Sequence, residues 1–185
     1  KRHLNIYNYY QAPHLHPFVD LFTGRGCSWG KCTFCLWPHT INKGANYRVG
    51  NINKIIDEII FIKKELPFIK EVFIQDDTLP PWRAKELSEN IIENSIDIIW
   101  SCYVRAEARY DLDLLNIMKK SGCRCLHVGY ESSNSEILKN MRKGITATEA
   151  EKFAERTNKI GLLNHADFII GLPGETVESI KETVE

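Results

Sequence analysis

Short β-rich runs and amphipathic helices take turns along this chain, and that alternation limits its fold more than any other feature. Residues 18–22 alternate like a strand. Ile52, Ile55, Ile56, Ile59, Ile62 and Leu66 then mark one helical face, which Pro67 ends. A strand at 71–75 leads to a helix opened by Pro80 and Pro81, with Ala84, Leu87 and Ile91 on one side. The rhythm repeats with a strand at 98–104 and a helix at 112–120 stopped by Gly122. It repeats again with a strand at 125–130, a helix at 148–160 begun by a Thr146/Glu149 capping box and closed by Gly161, and a strand at 166–170. Such alternation predicts an α/β fold with a parallel sheet and right-handed crossovers. The pattern does not choose between an open doubly wound sheet and a barrel.

In either architecture, chemistry sits at the C-terminal ends of the strands. The first strand runs into a loop that packs three thiols into nine residues, Cys27, Cys32 and Cys35, spaced Cys-x4-Cys-x2-Cys with Gly24, Gly26 and Gly30 among them. Glycines let the backbone bend tightly enough to turn all three sulfurs toward one centre. Three readings of the loop stay open. With His39 it could close a Cys3His zinc site, as in a small RNA-binding module. With a cysteine from elsewhere it could hold the four-ligand cluster of an electron-transfer protein. With three cysteines alone it could hold an iron-sulfur cluster whose fourth iron is open to a substrate. Cys102, Cys123 and Cys125 lie on separate strands with no glycine loop and read as small apolar core residues.

The other strand ends are polar: Asp76-Asp77-Thr78, then Arg105 and Glu107, then Glu131-Ser132, then Gly171-Leu172-Pro173-Gly174-Glu175. Each has a plainer reading as a loop residue or helix cap. Asp77 or Thr78 could cap the helix after Pro80, and Glu175 or Thr176 the last one. His127, Gly129 and Glu131 share a strand face by period two, as do His165, Asp167 and Ile169, and His127 reads as a core histidine. The Gly171–Gly174 stretch lacks the lysine of a phosphate-binding loop and reads as a turn.

Composition narrows the class. At 43% apolar the 185 residues suit one domain, and 24 basic against 24 acidic residues give no field that favours nucleic acid or an anionic membrane. No apolar run reaches a membrane span, so a cytoplasmic, reducing location is expected. Residues 1–17 read as a lead-in or interdomain linker, and 18–185 as the core domain. His14 and His16, in the lead-in, are assigned no role. The start at Lys1 and a helix still running at 176–185 suggest a fragment of a longer protein.

The cysteine loop resembles the cluster loop of the radical S-adenosylmethionine (radical SAM) superfamily, and residues 32–38, Cys-Thr-Phe-Cys-Leu-Trp-Pro, resemble its cobalamin-dependent branch. One departure is visible: the family has three residues between its first two cysteines, and this chain has four, Ser28 to Lys31. The resemblance runs from about Phe18 to the last residue and implies a partial (β/α)6 barrel lacking its sixth unit. It implies that Cys27, Cys32 and Cys35 hold a 4Fe-4S cluster and that SAM is cleaved reductively to a 5'-deoxyadenosyl radical. The outcome would be methylation or rearrangement at an unactivated carbon. By the same resemblance, Asp76, Asp77 and Thr78 lie where the family holds the methionyl amine, and Arg105 is a partner for the SAM carboxylate. Glu131 and Ser132 match its fourth-strand polar group. Phe34, Gly171 and Leu172 match its adenine contacts. An external electron donor of flavodoxin or ferredoxin type is implied, together with a small-molecule or peptide substrate. Cobalamin, if used, would be carried by a domain outside this chain.

Overall fold

The computed structural model describes residues 5–40 and 46–184, the side chain of His39 excepted. A lead-in with one 3-10 turn at Ile6–Asn8 enters β1 (Phe18–Leu21), followed by β2 (Gly24–Arg25), α1 (Trp37–Thr40), β3 (Arg48–Val49) and α2 (Ile52–Glu65). Then come β4 (Glu71–Ile74), α3 (Pro81–Glu93), β5 (Trp100–Val104), α4 (Leu112–Lys120) and β6 (Cys123–Glu131). The chain continues through α5 (Ser135–Asn140), α6 (Ala147–Ile160), β7 (Leu163–Phe168) and α7 (Val177–Val184).

Five strands form one parallel sheet in the order β1-β4-β5-β6-β7. Each new parallel strand joins beside its predecessor, so successive right-handed crossovers put their helices on one face. A doubly wound sheet would reverse its order partway. The winding is therefore that of a partial barrel, the point that sequence pattern left open. On the helix side, Ile55, Ile59 and Ile62 of α2, Leu87 and Ile91 of α3, Leu115 and Met118 of α4, and Phe153 of α6 share a core with Ile74, Val104, Leu126 and Val128. Burying one such aliphatic side chain contributes about 1.5–3 kcal/mol. On the inner face, the rings of His14, Phe73, Tyr103, His127 and His165 pack with centroids 4.2–5.1 Å apart.

The helix ends follow their local signals. Pro81 opens α3 with its φ already helical. Thr146 and Glu149 form the reciprocal capping box of α6, and Gly161 closes that helix at φ 75°, a conformation that costs an L side chain energy. Three features depart from expectation. β7 spans Leu163–Phe168 rather than 166–170, because Asn164 and His165 dilute the apolar signal of its first half. α5, capped by Asn134, is under two turns long and shows too little period to be read. The antiparallel β2/β3 pair has two residues per strand, fewer than alternation needs.

The lead-in covers the N-terminal ends of the strands. The carboxylate of Glu71, at the start of β4, accepts from His14 Nδ1 at 2.8 Å, from the Leu15 N–H at 2.8 Å and from Arg124 at 3.4 Å, as well as from the Ser101 hydroxyl. Among the described residues, no helix is long and apolar enough to cross a membrane.

Candidate active site at the barrel mouth

Asp76, the second residue beyond β4, determines where the cysteine loop begins. Fully buried, its carboxylate accepts from the Thr23 N–H at 2.8 Å, the Thr23 hydroxyl at 2.5 Å, the Gly24 N–H at 3.1 Å and the Tyr47 hydroxyl at 2.6 Å. Burial and the Asp76 charge push the Tyr47 hydroxyl far above its ordinary pKa, so it stays a donor. Arg83 braces the same point from α3, donating to the carbonyls of Thr23 and Gly50 at 2.9 Å each. Both carboxylate oxygens of Asp76 are thus occupied by the protein itself. Asp76 and its neighbour Asp77 both line a cavity of about 490 Å³ at the mouth, with Phe22, Arg25, Trp37, Gln75 and Tyr103, and the charge of Asp77 reaches Cys35. Thr78 is buried behind it.

Cys27, Cys32 and Cys35 are free thiols, each partly exposed, on the loop between β2 and α1. Burial pushes the Cys32 thiol up, and the charges of Lys143 and Arg105 pull it back down. Cys35 is raised by burial, and the backbone N–H of Trp37 opposes the shift. These nearby cations suit thiolate ligands. Among the described residues, no three His, Cys, Asp or Glu side chains converge closely enough to hold a metal ion. His39, the fourth ligand of the zinc alternative, has its side chain outside the described residues. Cys102, Cys123 and Cys125 are buried, the first two in the helix-side core.

The far wall of the mouth comes from β5, β6 and the segment after α5. Arg105, 8% exposed, donates from Nη2 to the Lys143 carbonyl at 2.8 Å, whereas its Nε and Nη1 have no hydrogen-bond partner. Lys143 donates to Glu131 Oε1 at 2.6 Å inside the protein, and its ammonium lies 5.8 Å from the ring of Phe34. A bulge between Gly129 and Glu131 turns Glu131 into the left-handed region, φ 66°. A Cβ on Gly129 would lie 2.4 Å from Glu131 Oε1 and 2.9 Å from Lys143 Nζ, so this glycine makes room for the ion pair. Glu131 therefore reaches the inner face through the bulge, not through unbroken alternation from His127.

The remaining predicted residues are placed as follows. Ser132 is buried, with its hydroxyl 3.3 Å from that of Thr183 and accepting the Asn134 N–H. The amides of Gly171 and Leu172 donate to Glu175 Oε2 at 2.5 and 2.8 Å, which shapes their turn, and Leu172 packs on Ile137, Leu138 and Met141. Phe34 stands at the rim, 37% exposed. Lys143, Tyr47 and Trp29 were missed by sequence reasoning. Lys143 and Tyr47 lie at no strand end and in no motif, and Trp29 lies inside the cysteine motif at a position its spacing leaves unspecified, so only tertiary contact brings them in.

Deeper in the barrel, burial lowers His127 to about 4, assisted by the charges of His14 and His165. It is a neutral core histidine, as expected. A larger cleft, about 670 Å³, runs between the lead-in and β1 and is lined by none of the predicted site residues.

The profile of the Radical SAM superfamily matches residues 21–185. The chain is 32% identical over 171 residues to an uncharacterised methyltransferase of Pyrococcus horikoshii, covering 91% of this chain and 36% of that protein. It is 29% identical over 194 residues to the cytidylyl-2-hydroxyethylphosphonate methyltransferase of Streptomyces wedmorensis, covering 97% and 35%. It thus spans about a third of the length of these curated relatives. In three dimensions it is similar to the cobalamin-dependent S-adenosylmethionine radical enzyme OxsB, solved with aqua-cobalamin and S-adenosylmethionine bound. The TM-score is 0.77 at 21% identity, covering 89% of this chain and 25% of that one. At that identity the likeness is one of fold.

Proposed function

The chain belongs to the radical SAM superfamily, and from that membership we propose that its barrel mouth binds a 4Fe-4S cluster and SAM for methyl transfer to an unactivated carbon. When bound, the cluster and SAM supply one-electron cleavage of a sulfonium C–S bond and, from it, hydrogen abstraction. The single observation that carries the reading is the meeting of the three-thiol loop with Asp77, Arg105, Lys143 and Glu131 at one end of the barrel. The donor set fits: three soft sulfur ligands lie on one loop that hydrogen bonds to Asp76 and Met141 pin at its start and within it.

In this reading Cys27, Cys32 and Cys35 hold three irons and leave one open. Asp77 accepts from the methionyl amine, while Lys143 and Arg105 provide positive charge for the carboxylate. Glu131 faces the ribose, and Phe34 with the Gly171–Leu172 backbone borders the adenine. Asp76 acts one step back by holding the loop, Thr78 backs Asp77, and Ser132 ties the end of β6 to α7. The rest of the protein's task is to orient substrate and exclude water, for which a concave mouth is suited. Methyl transfer is favoured by the methyltransferase names of the two relatives. Cobalamin would be supplied by a part of the whole protein beyond these residues, and the electron by an external flavodoxin- or ferredoxin-type donor in the cytoplasm.

Anaerobic reconstitution with iron and sulfide, followed by EPR of the reduced cluster with and without SAM, tests the reading. A 4Fe-4S signal whose shape changes on adding SAM is expected. A signal indifferent to SAM points to a four-ligand electron carrier. Tight zinc with no cluster points to the Cys3His site. Either of these outcomes overturns the proposal.

A further inference from the structure

The extra residue between Cys27 and Cys32 places Trp29 in a span that glycine on either side would otherwise leave loose. Trp29 ties the loop to the far wall of the mouth. Its indole Nε1–H donates to the Arg142 carbonyl at 2.8 Å, the Arg105 guanidinium lies 4.6 Å from its ring, and the Lys31 ammonium lies 4.9 Å from it. Gly144 sits against the ring at φ 72°, and a Cβ there would fall 2.1 Å from a ring carbon. Two residues past Lys31, the Thr33 N–H donates to the Met141 carbonyl at 2.9 Å. The whole Cys27–Cys35 loop is therefore fastened to residues 141–144 on one side and to the end of β5 on the other.

We propose that Trp29 is a positioning residue for the cluster: it locks the four-residue span between the first two cysteines and holds Arg105 against the loop. The proposal rests on the reading of the three cysteines as cluster ligands. Arg105 donates from Nη2 to the carbonyls of Lys143 and Gly144 at 2.8 and 3.5 Å, while its buried Nε, 4.0 Å from Glu107 Oε1, and its Nη1 make no hydrogen bond, so one edge of the guanidinium is held by hydrogen bonds and the other is not. The contact with the indole, 4.6 Å from guanidinium carbon to ring centroid, adds a constraint on the remaining edge, because the planar guanidinium is attracted to an aromatic face. The longer spacing is then a means of carrying the clamp rather than slack in the motif.

The test uses the intact protein, reconstituted anaerobically, in the wild type and in Trp29→Ala, Trp29→Phe and Gly144→Ala. Readouts are iron per chain, the rate of iron release to a chelator, the EPR of the reduced cluster, and the melting temperature of the metal-free protein. Trp29→Ala and Gly144→Ala should release iron at least about five times faster and alter the EPR line shape. Trp29→Phe, which keeps the ring and loses the indole N–H, should stay within about twofold of wild type, and all metal-free melting temperatures should lie within a few degrees. Wild-type release and EPR in Trp29→Ala overturn the proposal. So does an iron loss that merely tracks a fall in metal-free stability across the three variants. Should Trp29→Ala fail to fold, Gly144→Ala decides by the same criteria. A wild type that assembles no 4Fe-4S cluster overturns instead the reading on which the proposal stands.

Discussion

Strand β4 carries a buried carboxylate at each end, and the two do the same work in opposite directions. Glu71, at the floor of the barrel, gathers four donors from His14, Leu15, Ser101 and Arg124 and holds the lead-in. Asp76, at the mouth, gathers four from Thr23, Gly24 and Tyr47 and holds the start of the cysteine loop. Asp77, one residue further on, lines the mouth cavity. A carboxylate at a strand's C-terminal end is therefore not by position alone a ligand for substrate. Asp76 serves as an anchor because the protein itself already occupies both of its oxygens.

The largest effect is expected at the floor. Glu71→Ala leaves the buried His14 without its carboxylate partner and Arg124 with the Pro13 carbonyl alone, and should lower stability by about 4 kcal/mol, about 10 °C in melting temperature for a chain of this size. Cluster loading of the folded fraction should stay unchanged. A loss under about 1 kcal/mol in urea unfolding would show that the floor is not an anchor. Asp76→Asn keeps one acceptor and turns the other into a donor facing donors. It should cost about 2–3 kcal/mol and, unlike the floor variant, also reduce iron loading. Equal loading in the two variants would erase the distinction between the ends.

His127 gives the comparison a pH axis. Its folded pKa, about 4, lies below its ordinary 6.5, so the folded state binds fewer protons between those values. The neutral ring contributes stability that is fully present above pH 6.5 and is lost as pH falls toward 4. The loss attributable to this group is about 2–3 kcal/mol. His14, His165 and Glu71 also act on it. In His127→Phe the difference between unfolding free energies at pH 7 and pH 5 should shrink, and an unchanged difference would assign the pH dependence to other groups. Asp77→Ala should have the smallest effect on stability, under about 1 kcal/mol, while weakening SAM binding at least about tenfold by equilibrium titration. Undiminished SAM affinity in that variant would remove Asp77 from the proposed site.

Elements with a long period or a cap were legible in advance. α2 and α6 were read almost to the residue, because an amphipathic face repeats over 14 residues and the Thr146/Glu149 box is a local signal. α5 and the β2/β3 pair were not, since a period cannot declare itself in so few residues. Within the site, the three cysteines and the polar strand ends stood out as types and spacings. Lys143 did not, because its role is an ion pair with a residue 12 positions away, formed only when the bulge turns Glu131 inward. The Asp76-Asp77 pair reads as one motif and both residues line the mouth cavity, but the hydrogen bonds by which Asp76 anchors Thr23, Gly24 and Tyr47 form only in the folded chain.

By itself, then, the sequence determined the alternation of strands and helices, the ends of the long helices and the three-thiol loop after the first strand. All of these depend on side chains within a few turns of one another. Tertiary structure alone decided that the sheet winds in one direction, that a lead-in histidine reaches the barrel floor, and that Trp29 of the cysteine loop meets residues 142–144. Those outcomes depend on groups brought together from over a hundred residues apart, such as Trp29 and Arg142. No local period or spacing encodes such a meeting, because it is set by the free energy of packing the whole sheet and its helices at once.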